Sequence, residues 1–313
     1  MSKMVETLIL REKNKKIPHF YGAVSRLGTR NNPNGTHESN EGVEGAYNSI
    51  VGGLYDRLTK PGMSVTLNAY PFSNPSNVSE GDYFPTIAKE SQEFTELICG
   101  SLKPNEIAVT IGGDHSVSFP AINAWLKKIK EIGGSPLVIQ GDSHMDACLN
   151  SETPSGNFQG MWMRPYYGFD IDCINKLVEG LPNSSWLYIG DLENEPYWDE
   201  DIESAFIKDN NIGHISKEMI ARGESKDYLQ SYLDKASHVY YTGDIDQFTN
   251  KVAPATGISG EWGLTRGEVF PLLEQIAESN KLSGCDLVEI NPKKEGAKKT
   301  IELGQSVLET LLL

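Results

Sequence analysis

The stretch Leu137-Val138-Ile139-Gln140-Gly141-Asp142-Ser143-His144-Met145-Asp146 decides the fold. Its first part is apolar and β-branched with no polar alternation, the pattern of a strand buried on both faces. The chain then switches to three metal-binding side chains at alternate positions, Asp142, His144 and Asp146. Alternate residues of an extended segment point to one side, so the three can converge. Desolvated polar groups packed this closely need partners, which points to a site at the carboxyl end of the strand.

The same grammar recurs twice. The run Ile107-Ala108-Val109-Thr110-Ile111 precedes Gly112-Gly113-Asp114-His115-Ser116, and Val239-Tyr240-Tyr241 precedes Thr242-Gly243-Asp244-Ile245-Asp246. Two glycines before His115 permit a sharp turn. Further apolar runs occupy residues 64–67, 186–189 and 287–290. Between the runs, residues 86–102, 216–233 and 298–312 read as helices, and Thr265 with Glu268 forms a capping box that opens a helix through residues 269–276. Strands alternating with helices predict an α/β protein with a parallel sheet. Residues 28–44 and 150–168 read as loops. No linker or repeat divides the chain, so residues 1–313 are expected to form one domain.

Bulk properties exclude some functions. A net charge of −15 argues against a nucleic-acid partner, which requires a basic patch; Lys293, Lys294, Lys298 and Lys299 make only a small cluster. The N-terminal residues 1–16 hold one short apolar patch in a charged stretch and read as neither signal peptide nor membrane span. Cys99, Cys148, Cys173 and Cys285 are widely spaced with no CxxC pair, as in reduced cytosolic proteins. The expectation is a cytoplasmic protein with no membrane contact.

Together His115, Asp142, His144, Asp146, Asp244 and Asp246 offer four carboxylates and two imidazoles. That is too many donors for one tetrahedral zinc ion. It suits two divalent cations side by side, which polarise a substrate and lower the pKa of a shared water. Oxygen-rich donors without thiolate favour manganese, with nickel, cobalt or iron able to use the same ligands. All three segments follow strands, where open α/β sheets place their ligands.

These segments resemble the arginase (ureohydrolase) family, which includes arginase, agmatinase, guanidino-acid hydrolases and formimidoylglutamase. The family's signatures are Gly-Gly-Asp-His-Ser, Asp-x-His-x-Asp and Ser-x-Asp-x-Asp. Gly42-Val43-Glu44-Gly45, Ser155-Gly156-Asn157, Val252-Ala253-Pro254, Gly263-Leu264-Thr265 and Glu289-Ile290-Asn291-Pro292 extend the likeness along the chain. The resemblance implies an α/β, arginase-like three-layer fold, its parallel sheet flanked by helices on both faces, and a binuclear manganese site. One ion is expected on His115, Asp142, Asp146 and Asp244, the other on Asp142, His144, Asp244 and Asp246, with Asp142 and Asp244 bridging. It further implies that Asp146 binds the nucleophile and passes its proton to the leaving amine. Glu289 is expected to pair with a guanidinium, a charge-assisted contact that orients the reacting carbon. The implied reaction hydrolyses a small guanidino substrate, arginine by default, to urea and an amine. Relatives commonly assemble as trimers or hexamers, so a homo-oligomer is expected.

Departures from the family pattern fall on the substrate side. Gln159 stands where a catalytic histidine follows the Ser-Gly-Asn segment, and glutamine does not titrate. Cys148 replaces an asparagine that holds the α-carboxylate, while Ser155 of that pocket is kept. Glu193 is the candidate for holding an α-amino group. Thr249 and Asn250 replace a third aspartate and a proline, neither of them a ligand. The alternatives are a formimidoylglutamase-type hydrolase that releases formamide, and a non-catalytic relative that keeps its metals.

Overall fold

Eight parallel strands form one sheet in the computed structural model, which describes residues 17–29, 40–58, 66–153, 155–194 and 200–313. They are β1 (Ile17–Val24), β2 (Thr66–Pro71), β3 (Glu106–Ile111), β4 (Pro136–Gly141), β5 (Ser185–Ile189), β6 (Gly213–Ile215), β7 (His238–Asp244) and β8 (Leu282–Val288). Their spatial order is β2-β1-β3-β8-β7-β4-β5-β6. The ligand-bearing strands β3, β7 and β4 thus lie within four adjacent positions, with β8 between β3 and β7. In-step pairing of Gly141 with Gly243, and of Asp244 with Val288, brings their carboxyl ends out level.

Period-two alternation sorts the core into two layers. Ile107, Val109, Ile139, Leu187 and Tyr241 face one side. There they pack under α1 (Ala46–Leu58) and, among later elements, under helices Ser225–Lys235, Arg266–Glu278 and Ala297–Leu312. Ala108, Val138, Trp186, Tyr188 and Tyr240 face the other side, under α2 (Tyr83–Ser101) and α3 (Ser118–Ile132). Helices α4 (Asp172–Asn175) and α5 (Glu200–Asp209) complete that side, through Ile174 and Phe206. Val138 and Ile139 are each fully buried on opposite faces, so truncating either to alanine costs about 2–5 kcal/mol.

The expected three-layer α/β architecture is present, with corrections in detail. The helix expected over residues 216–233 is two, α6 (Lys217–Ala221) and α7 (Ser225–Lys235), broken at Gly223, whose φ of 75° no helix tolerates. The helix opened by the capping box is α8 (Arg266–Glu278), with Glu268 accepting the Thr265 N–H at 2.7 Å. The C-terminal helix is α9 (Ala297–Leu312). The run at residues 287–290 is the end of β8, which begins at Leu282, while Glu289 and Ile290 lie past it. Of the expected loop at 28–44, residues 30–39 lie outside the described residues, as do residues 1–16 and 64–65. Val43–Gly45 form a 3-10 turn.

Candidate active site

Each ligand segment is shaped by its own polar side chains. After β3, the carbonyl oxygen of Ser25 comes so close that a Cβ at Gly113 would stand 1.6 Å from it, so only glycine fits. Asp114, fully buried, is not a ligand candidate in the structure: its carboxylate accepts the Ser116 and Gly28 N–H groups at 3.0 Å each. It thereby caps the turn that presents His115. After β4, Asp142 Oδ1 accepts the His144 N–H at 2.7 Å, and after β7, Asp244 Oδ1 accepts the Asp246 N–H at 2.8 Å. These are Asx turns, which fold the chain back over the sheet end. Ser143 ties the two segments together, its hydroxyl donating to Asp246 O at 2.7 Å. Asp146 and Glu289 adopt φ of 54° and 65°; left-handed backbone at non-glycine residues is strain that concentrates at functional sites.

The six expected ligands converge. His115, Asp142 and Asp244 form one group of candidate donors within 4.8 Å of one another, and Asp142, His144 and Asp246 form a second, so Asp142 belongs to both. His115 Nδ1 lies 2.9 Å from Asp146 Oδ2, 3.0 Å from Asp142 Oδ2 and 3.3 Å from Asp244 Oδ2. It nevertheless makes a hydrogen bond to none of them. His144 Nδ1 stands 3.0 Å from Asp246 Oδ2. Donors held at about 2.1 Å from one small divalent cation stand about 3 Å apart along an octahedral edge. A buried imidazole nitrogen ringed by oxygens at that spacing, and bonded to none, fits a ligand set for cations.

Electrostatics point the same way. Burial, with the charges of Asp246 and Asp142 adding to it, holds Asp244 well above the usual carboxylate range. Asp146 is pushed up to about 6 by burial and by Asp142, and burial raises Asp246. Asp142 falls below its ordinary value because His115 outweighs the opposing effect of burial. Burial lowers both imidazoles, but the surrounding carboxylates overcome it and raise them well above their usual value. Four carboxylates this close hold charge only if protons or cations sit among them. Divalent cations reverse this logic and keep every carboxylate ionised.

Five of the six candidate ligands, His115, His144, Asp146, Asp244 and Asp246, line a cavity of about 280 Å³. Cys148, Ser155, Gln159 and Glu289 line it, as expected; Glu193 does not, being exposed on the turn Leu192–Asn194. Glu203 of α5 lines the cavity instead. Gln159 is held in place, its N–H donating to Gly28 O at 3.2 Å and its Oε1 accepting the Thr29 hydroxyl at 2.5 Å. Burial pushes the Cys148 thiol up to about 11, so it is a neutral wall group. Glu289 Oε1 accepts the His115 N–H at 2.9 Å and its Oε2 accepts from Asn40. Burial, reinforced by Asp114, holds Glu289 well above the carboxylate range, which an incoming cation would relieve.

Three neighbours of the site had no signal in sequence. Trp162 Nε1 donates to Asp146 Oδ2 at 3.0 Å. Asn40 braces Glu289 and accepts the Asn291 amide at 2.9 Å. Glu203 sits in a polar helix with nothing to distinguish it. Each is brought in by tertiary folding from a segment without a motif.

Comparison with known proteins places this geometry. The model of the arginase family matches residues 29–313. Mitochondrial arginase-2 of Bos taurus is 28% identical over 242 residues, 71% of this chain and 65% of that protein. The match therefore spans just under two thirds of the bovine protein. The crystal structure of arginase from Bacillus cereus superposes with a TM-score of 0.79 at 22% identity, covering 95% of this chain and 98% of that one. Formimidoylglutamase from Bacillus subtilis superposes with a TM-score of 0.68 at 19% identity, covering 95% and 86%.

Proposed function

Since the chain belongs to the arginase family, we propose that it is a binuclear-metal amidinohydrolase that cleaves a linear C–N bond of a guanidino compound to give urea and an amine. The observation that carries this reading is the pair of Asp/His donor groups that share Asp142, with His115, His144, Asp244 and Asp246 of these groups lining one cavity. His115, Asp142, Asp146 and Asp244 would hold one ion and Asp142, His144, Asp244 and Asp246 the other. The oxygen-rich donors favour manganese. Bound there, the ions supply Lewis acidity and a water that ionises near neutral pH.

The protein's own groups do the rest. Glu289 pairs with the guanidinium and sets its plane; its carboxylate is fixed by His115 N–H and Asn40. Water oxygen bonds to the guanidinium carbon, and the bond from that carbon to the substituted nitrogen breaks. Asp146 carries a proton from the water to the departing nitrogen at Oδ2, the oxygen that Trp162 Nε1 orients, and the water's second proton also ends on that nitrogen, so that the products are neutral urea and an ammonium ion. Gln159, locked by Thr29, contributes an amide in place of a titrating imidazole. Ser155 and Cys148 flank the distal end of the substrate, and Glu203 takes the ammonium-binding place expected of Glu193.

The whole chain acts as one catalytic domain. It works in the cytoplasm, a reading supported by four free cysteines, and assembles as a trimer or hexamer. No helix among the described residues is long and apolar enough to cross a membrane. The test is urea release by the manganese-loaded protein from arginine, agmatine and a set of guanidino acids. Release from one of them is expected. No release from any, with metal bound, would leave a non-catalytic relative, and formamide from formiminoglutamate would assign the alternative hydrolase activity.

A further inference from the structure

Asp286 is a fully buried carboxylate in the middle of β8 that the hydrolysis does not use. It faces Thr242 of β7 because the two residues pair in the sheet register. Thr242 Oγ1 lies 2.7 Å from Asp286 Oδ1, 3.1 Å from Ser118 Oγ and 3.2 Å from His115 Nε2. Tyr240 OH donates to the other Asp286 oxygen at 2.9 Å. Thr242, Asp286 and Ser118 are each 0% exposed and His115 1%, so no bulk water competes for these bonds.

A hydroxyl has one hydrogen. The shorter contact to an ionisable carboxylate takes it in preference to the longer one to Ser118, because charge-assisted bonds are the stronger. Thr242 Oγ1 then has only lone pairs left to offer His115, so Nε2 must carry a hydrogen and donate it. In the neutral ring this leaves the lone pair on Nδ1, the nitrogen ringed by Asp142, Asp146 and Asp244. The geometry points to an Asp286–Thr242 relay as the positioning device that fixes the tautomer and ring orientation of His115 for a divalent cation. The inference rests on the reading of His115 as a metal ligand. Outer partners of a ligating histidine are typically worth roughly 10–100-fold in metal affinity.

The test is manganese affinity and stoichiometry by titration of the full chain, with the thermal midpoint of the metal-free protein recorded in parallel. Thr242→Val keeps the side-chain shape but removes the hydroxyl, and is expected to weaken one of two sites by roughly 10–100-fold. Thr242→Ser restores the hydroxyl and should return affinity close to wild type, a rescue that a merely structural role would not give. In a His115→Ala background, Thr242→Val should add no further loss, because the relay acts only through that ring. Asp286→Asn weakens the pull on the Thr242 hydrogen and should lower affinity several-fold, which keeps the test alive if the valine variant does not fold. Wild-type affinity in Thr242→Val or Asp286→Asn, or additive losses with His115→Ala, would overturn the relay alone. Wild-type protein that takes up no divalent metal would overturn the metal-centre reading and the relay with it.

Discussion

The two walls of the cavity are built differently. On the ligand wall, the carboxyl ends of β3, β4, β7 and β8 deliver side chains from adjacent, hydrogen-bonded strands, and the turns after β3, β4 and β7 are each closed by an aspartate of their own segment. On the facing wall, Cys148, Ser155 and Gln159 come from an irregular stretch and Glu203 from a separate helix. The ligand wall keeps all six candidate metal ligands, whereas the facing wall carries a neutral thiol and a non-titrating amide where the likeness to arginases leads one to expect asparagine and histidine. Rigid strand ends fix the chemistry, and loops set what it acts on. The reaction type is therefore more firmly written in this molecule than the substrate.

This contrast can be broken from either side, and the largest effects should come from the ligand wall. Asp142→Ala or Asp244→Ala is expected to abolish binding of both ions and cut urea release by roughly 10³-fold or more, checked by elemental analysis alongside turnover. Either variant retaining two ions would refute the sharing of that carboxylate. Glu289→Gln should keep the metals yet lower kcat/KM by roughly 30-fold, the value of about 2 kcal/mol for a hydrogen bond to a charged partner. Loss of the ions instead would move Glu289 from the substrate to the ligands.

Changes on the facing wall should be smaller. Glu203→Ala is expected to raise KM by roughly tenfold, about 1.4 kcal/mol of lost substrate contact, while Glu193→Ala leaves kinetics unchanged; the opposite pattern would return the ammonium role to Glu193. Gln159→His should raise kcat by up to roughly tenfold and add an ionisation to the pH profile, since histidine titrates near neutrality. An unchanged rate and profile would show that proton transfer on this wall does not limit turnover.

The sequence exposes the two walls unequally. Strands β3, β4 and β7 are legible because they are buried on both faces and run into segments that carry the candidate metal ligands. Strand β1 is not, because Pro18, His19 and Gly22 interrupt its apolar run, and its hydrogen bonds to both neighbours arise only on folding. Three-residue β6 is too short to carry a period. Helix α3 is buried around its first turns, Ser118 to Leu126, so its polar face is confined to its second half, and α1 is broken in pattern by Gly52 and Gly53. The first part of β8 is small and polar, so no apolar run marks it or its buried Asp286. Pairing across β7 and β8 gives that aspartate its meaning, and no local pattern encodes it. The same holds for Trp162, Asn40 and Glu203, which reach the site from distant segments.

The most direct test of the central claim is the number of manganese ions that this chain binds, measured by calorimetric titration of metal-free protein and confirmed by elemental analysis after gel filtration. Two ions per chain, with affinity that falls as pH drops because the carboxylates and imidazoles must lose their protons to ligate, is the expected result. One ion or none per chain at saturating manganese would contradict the two-metal site built on Asp142 and Asp244.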